Sequence, residues 1–139
     1  MKITSLSHKI ASWSLILGGI GHTTAALSNP KTAELNELLS TMKAFTTHLL
    51  GSEVNMFSFH QGFSLMMGLL LFGYGALNLL ILKNNVQAQM PSNILILNII
   101  ISLVSVVLSV KYFFLIPIVL TGMAFLGFSI SLVAKNYKI

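Results

Sequence analysis

Side chains able to do chemistry are scarce in this chain. Its 139 residues hold three acids, all Glu (Glu34, Glu37, Glu53), eight basic residues, all Lys, four His and no Cys. Without Asp, and with every Glu in one segment, there is no carboxylate pair for hydrolysis, no carboxylate-bridged di-metal centre and no intramembrane carboxylate relay. Without Cys there is no disulfide framework, thiol redox relay or thiolate metal site. Lysine is a point charge, so the bidentate phosphate fork of Arg is missing too. What remains is imidazole. His22 and His60 each sit inside an apolar run, and Thr23, Thr24, Gln61 and Ser64 lie beside them. Two facing imidazoles could ligate haem iron, bind Zn or Cu with an incomplete shell, hydrogen-bond a quinone carbonyl or carry a proton near neutral pH. The plainer alternative is a His–Thr or His–Gln hydrogen bond that satisfies buried polar groups.

The elements that must position these residues are membrane helices. Hydrophobic residues make up 55% of the chain and charged ones 8%, against about 25% charged in a soluble domain. Four stretches can span a bilayer as helices of ~20 residues: 10–28, 57–82, 93–110 and 117–134. A polar connection at 83–89 separates the middle pair. Pro117 suits the first helical position and pushes Ile116 out of helical geometry, which leaves 111–116 as a tight turn at the membrane surface. The reading is a single all-α domain, an up-down-up-down bundle of four transmembrane helices. An N-terminal signal peptide cleaved after Ala25-Ala26 is the rival for the first run. Its length, three Gly and a His favour an uncleaved helix.

Residues 31–50 carry Leu35, Leu38, Leu39, Met42, Phe45 and Leu49 at helical spacing with charges between them. They read as an extracytoplasmic amphipathic helix, capped at Asn29-Pro30 and stopped by Gly51. Lysine placement sets the orientation. With the N-terminus inside, Lys2, Lys9, Lys83, Lys135 and Lys138 are cytoplasmic, while Lys31, Lys43 and Lys111 are outside with every Glu. The net charge of +5 is thereby assigned to orientation and anionic lipid rather than to nucleic acid.

Helical angle sorts the polar residues into stripes. They are Ser14–Gly18–His22 with Ala25 or Ala26 in the first span and His60–Ser64–Gly68–Leu71–Gly75–Asn78 in the second. The third carries Asn98–Ser102–Ser105–Ser109, and the fourth Thr121–Ala124–Phe128 or Ser131, with Gly122–Ser129 as an alternative seam. At 1.5 Å per residue, His22 and His60 lie about 9 and 5 Å inside the outer ends of their helices, in one leaflet. Asn78 and Asn98 share a depth near the inner face and are expected to pair as structural glue. His8 and His48 fall outside the spans and are expected to be solvated. His48 could join the imidazole pair if the amphipathic helix folds over the mouth.

The segments Gly18-Gly19-Ile20-Gly21-His22-Thr23 and Phe57-Ser58-Phe59-His60-Gln61-Gly62-Phe63 resemble small bacterial four-helix inner-membrane proteins of the DoxX-like assemblage and related uncharacterised families. The resemblance implies a four-helix bundle in the bacterial inner membrane, with a link in some relatives to quinone-dependent respiratory complexes. Those relatives tend to carry a basic residue, often Arg, at the first span, and this chain has no Arg.

No complete catalytic set is present, because the Ser, Thr and His residues lack an acid to orient a base. The leading expectation is a non-enzymatic membrane protein, either an accessory subunit of a membrane partner or homo-oligomer, or a small-ligand-binding bundle. The alternative is a redox protein that holds haem b or quinone through His22 and His60. A transporter would require dimerisation, since four spans without an internal repeat do not build a carrier path.

Overall fold

The computed structural model describes residues 2–85 and 90–137. Five helices and one short hairpin follow in the order α1 (Lys2–Leu27), α2 (Ala33–Ala44), β1 (Thr46–Leu49), β2 (Ser52–Asn55), α3 (Met56–Asn84), α4 (Ser92–Tyr112) and α5 (Leu115–Asn136). α1, α3, α4 and α5 are each long and apolar enough to cross a bilayer, which makes this a multi-pass membrane protein by length and composition. Their outward faces carry Trp13, Phe63, Leu69 and Val107, all more than half exposed. In water such a surface would be untenable, whereas lipid tails solvate it at no cost.

α1 lies between α3 and α5, and α4 packs on α5. Small residues set the α1 contacts. A Cβ added at Gly19 would come within 2.6 Å of the Phe72 backbone nitrogen and 2.7 Å of the Gly68 carbonyl oxygen; one at Gly75 would come within 2.6 Å of the Ser12 carbonyl oxygen. Ser12 and Gly19 are two heptad-spaced notches on α1, met in reverse order by Gly75 and Gly68 of α3. On the other side, a Cβ at Gly127 of α5 would stand 2.7 Å from the Ser7 carbonyl oxygen and 2.9 Å from Ala11. The apolar core between the helices is Ala11, Leu15, Met90, Leu95, Ala124 and Phe128.

Several boundaries differ from the sequence reading. α1 starts eight residues before Ile10. Ser7 can enter the helix because its hydroxyl donates to the Ile3 carbonyl at 2.8 Å, and Lys9 points outward, exposed. Pro117 is the third residue of α5, with Ile116 helical before it. The first-turn N–H groups have no intrahelical acceptor, so proline is tolerated there as well as at the first position. Of the polar connection expected at 83–89, Lys83 and Asn84 belong to α3, and 86–89 lie outside the described residues. The alternative seam Gly122–Ser129 is not the contact face of α5. Both residues are half-buried, while Ala124, Gly127, Phe128, Ser131 and Ala134 are buried.

The largest correction concerns 31–50, which is not one helix. The helix covers Ala33–Ala44 and is capped by Thr32, whose hydroxyl accepts from the Leu35 N–H at 3.3 Å. Thr46–Asn55 form an antiparallel hairpin with Thr46 opposite Asn55 and Leu49 opposite Ser52. Leu50 (φ 51°) and Gly51 (φ 85°) both take positive φ, as a two-residue type I′ turn demands. Gly51 therefore turns a hairpin rather than ending a helix. Asn55 closes the segment by accepting from the Ser58 N–H at 2.8 Å, which caps α3.

Candidate functional site

Polar side chains gather at the two ends of the bundle. One end carries α2 and the hairpin; the other carries the start of α1, the end of α3, the start of α4 and the end of α5.

At the hairpin end, the last residues of α1, the apolar face of α2 and the first turns of α3 enclose a cleft of about 610 Å³. Its walls are mainly apolar, with Ala25, Ala26, Leu27, Pro30, Leu35, Leu39 and Phe57. Ser28, Asn29, Asn36, Ser40, Lys43, His60, Gln61 and Ser64 supply polar groups. This volume falls in the range of small-molecule sites, ~300–1,000 Å³. The Lys43 ammonium stands 5.0 Å from the centroid of the Phe57 ring, so α2 and α3 touch through a cation–π contact at the rim.

Of the six residues singled out in the sequence, three come together here. His60 is exposed on the cleft, and Gln61 and Ser64 are half-buried in its lining. The other three point elsewhere. His22 does not border the cleft; it is half-buried, and its Nε2 is enclosed without a hydrogen-bond partner. Thr23 packs over Gly68, where an added Cβ would meet its Oγ1 at 2.1 Å. Thr24 donates to the carbonyls of Ile20 and Gly21, both at 2.9 Å, on an exposed face of α1. His48 is on β1 opposite Glu53, exposed, and not on a helix over the mouth. Among the described residues no three His, Cys, Asp or Glu side chains are grouped to hold a metal ion, so a third imidazole from His48 does not complete a site. Outside the spans, Glu34 has its carboxyl held below its ordinary pKa by hydrogen bonds from its own backbone N–H and from the Thr32 hydroxyl. It belongs to the cap of α2 rather than to the cleft.

At the opposite end the polar groups are buried. Asn98 donates from Nδ2 to Asn78 Oδ1 at 2.5 Å, and the Tyr74 hydroxyl donates to Asn98 Oδ1. Asn78 Nδ2 returns to the Tyr74 carbonyl at 3.0 Å. Ser131 donates to the Thr4 carbonyl at 3.0 Å, joining α5 to α1. Lys135 Nζ donates to the Met90 carbonyl at 2.8 Å, tying the start of α4 to the end of α5. Apart from the Asn78–Tyr74 bond, which lies within α3, these bonds tie separate segments together where lipid provides no alternative partner.

His8 lies at this same end and corrects the expectation of a solvated side chain. It is fully buried against Phe128, with ring centroids 5.1 Å apart. Neither ring nitrogen makes a hydrogen bond of ordinary geometry, although the ring interacts with the Asn78 backbone, and the Thr4 hydroxyl oxygen one turn earlier has no partner. The signal was available in the helical angle: His8, Ser12, Leu15 and Gly19 form one stripe at 4, 3 and 4 spacing, and it continues the face that packs on α3.

Comparison with protein-family models, with curated proteins and with solved structures finds no match to this chain.

Proposed function

We propose that this chain is a non-enzymatic, four-pass, up-down-up-down bundle of a bacterial inner membrane, akin to the DoxX-like assemblage, that binds a small ligand in the cleft at its extracytoplasmic mouth. Both termini are cytoplasmic in this reading, and α2 with the hairpin covers the outer ends of α1 and α3. The observation that carries it is the cleft itself, an apolar recess of about 610 Å³ with His60, Gln61 and Ser64 at its polar side. Its test is purification of wild type and of Leu39→Trp in mild detergent, followed by solvent extraction and mass spectrometry. Leu39 lines the cleft on α2, a helix with no buried residue, so indole fills the recess without entering the core. A small molecule held near one per chain by wild type, and reduced at least tenfold in the variant at unchanged thermal unfolding, supports the reading. Equal retention by both proteins, or none by either, rules it out.

A redox reading with a quinone draws on His60 and Gln61, whose side-chain N–H groups can both donate to a carbonyl oxygen. Haem b held through both imidazoles would need His22 at the same cavity, and His22 does not border it. Absorption spectra of wild type and of the His22→Ala, His60→Ala double variant separate these. A Soret band lost in the double variant restores haem. A quinone absorption lost with His60→Ala alone supports the quinone.

A further inference from the structure

The cleft has a charge sign as well as a shape. Lys43 and His60 line it and no carboxylate does. Glu34 and Glu37 share α2 with Lys43, but at 100° per residue Glu34 is on the opposite side of the helix and Glu37 is about 120° away. Among the described residues no ion pair joins Lys43 to an acid, and its ammonium rests instead over the Phe57 ring at 5.0 Å. Leu35 and Leu39 precede Lys43 by eight and four residues. The inner stripe of α2 thus runs from apolar to cationic, facing Ala26 and Phe57 across the recess.

We infer that the ligand is an anionic single-chain amphiphile, a carboxylate or phosphate head on one hydrocarbon chain. The head is held by Lys43 beside His60, and the chain lies over Leu35, Leu39 and Phe57. The size of the recess suits one chain. At about 610 Å³ it holds about 20 water-sized groups at ~30 Å³ each, which matches the heavy atoms of a one-chain amphiphile. Charge separates acid from alcohol, because among the described residues the fixed charge that lines the cleft is the Lys43 cation.

This inference rests on the cleft being a ligand site, and one experiment tests the two ideas separately. The full chain is reconstituted in phosphatidylcholine nanodiscs and photolabelled with a diazirine-bearing palmitate, with oleate, oleyl alcohol or inorganic phosphate as competitors. Expected results are labelling of α2 and α3, competition by oleate at least tenfold stronger than by oleyl alcohol, and none by millimolar phosphate. Lys43→Gln should reduce labelling at least tenfold. Lys31→Gln, an exposed lysine off the cleft, should leave it unchanged. Equal competition by alcohol and acid, or full labelling of Lys43→Gln, overturns the anionic class while leaving the cleft standing. Competition by phosphate alone overturns the amphiphile and makes the free anion the ligand. Labelling of Leu39→Trp at the wild-type level overturns the cleft and the inference with it.

Discussion

His8 is fully buried with no hydrogen bond of ordinary geometry at either ring nitrogen. A buried polar group without a partner forfeits about 1–3 kcal/mol, whereas an apolar replacement of similar shape is close to neutral or stabilising. His8→Phe is therefore expected to melt at or above the wild-type temperature in the same detergent, the new ring packing on Phe128. A drop of several degrees would mean that the imidazole has a partner that matters. Asn98→Leu should behave in the opposite way. Asn98 joins Tyr74 and Asn78, and its loss strands both, at about 1 kcal/mol by the scale of intramembrane hydrogen bonds. The sequence carried enough information to place the two asparagines, because their depth follows from counting residues. It misplaced His8 for a definite reason. Lys9 interrupts the apolar run, so hydropathy starts the span at Ile10, yet one lysine on the lipid-facing side does not end a helix whose opposite face continues unbroken.

For the helices, spacing between small residues says more than hydropathy. The stripe Ser14–Gly18–His22 puts Gly18 on the packing face of α1; Ser14 is buried, but a Cβ at Gly18 would meet only Leu120, at an ordinary 3.8 Å, while Gly19 is pressed onto α3. The 100° error arises because α1 is flanked by both α3 and α5 and carries small residues on two faces, which a single stripe cannot represent. Gly75→Ala must displace backbone at Ser12 and should cost about 1–3 kcal/mol, the range for overpacking. Gly73→Ala, two residues away with open space around it, should be neutral, and chemical denaturation of the two variants checks the contrast. Thr46–Asn55 shows the other limit of periodicity. Leu49 fits a helical repeat with Leu35, Leu38 and Met42, so the pattern ran on past the true end at Ala44. The competing signals were the adjacent β-branched Thr46 and Thr47 and the Gly51 turn. They prevailed because positive φ at Leu50 and Gly51 closes a hairpin that delivers Asn55 to cap α3.

Across the whole molecule, what remained illegible is the cleft. Its lining comes from α1, α2 and α3, and a wall shared by three elements depends on how the α2 segment folds back, which no residue count supplies. Hence the sequence could name His60, Gln61 and Ser64 but set them against His22, a residue on another surface of α1. The same whole-molecule question decides which compartment supplies the ligand. The lysine tally of five against three is a modest bias, and the absence of cysteine makes it directly testable by single substitutions. Lys31 and Lys83 are both exposed and belong to opposite ends of the bundle. With the N-terminus inside, a membrane-impermeant maleimide should modify Lys31→Cys in intact cells and Lys83→Cys only after permeabilisation. The reverse pattern would turn the bundle over. The cleft would then open to the cytoplasm, where an anionic amphiphile would arrive from synthesis or breakdown inside the cell rather than from the outer leaflet. Equal modification of both before permeabilisation would show that the four helices do not cross the membrane as a bundle, and the topology would fall with the proposal built on it.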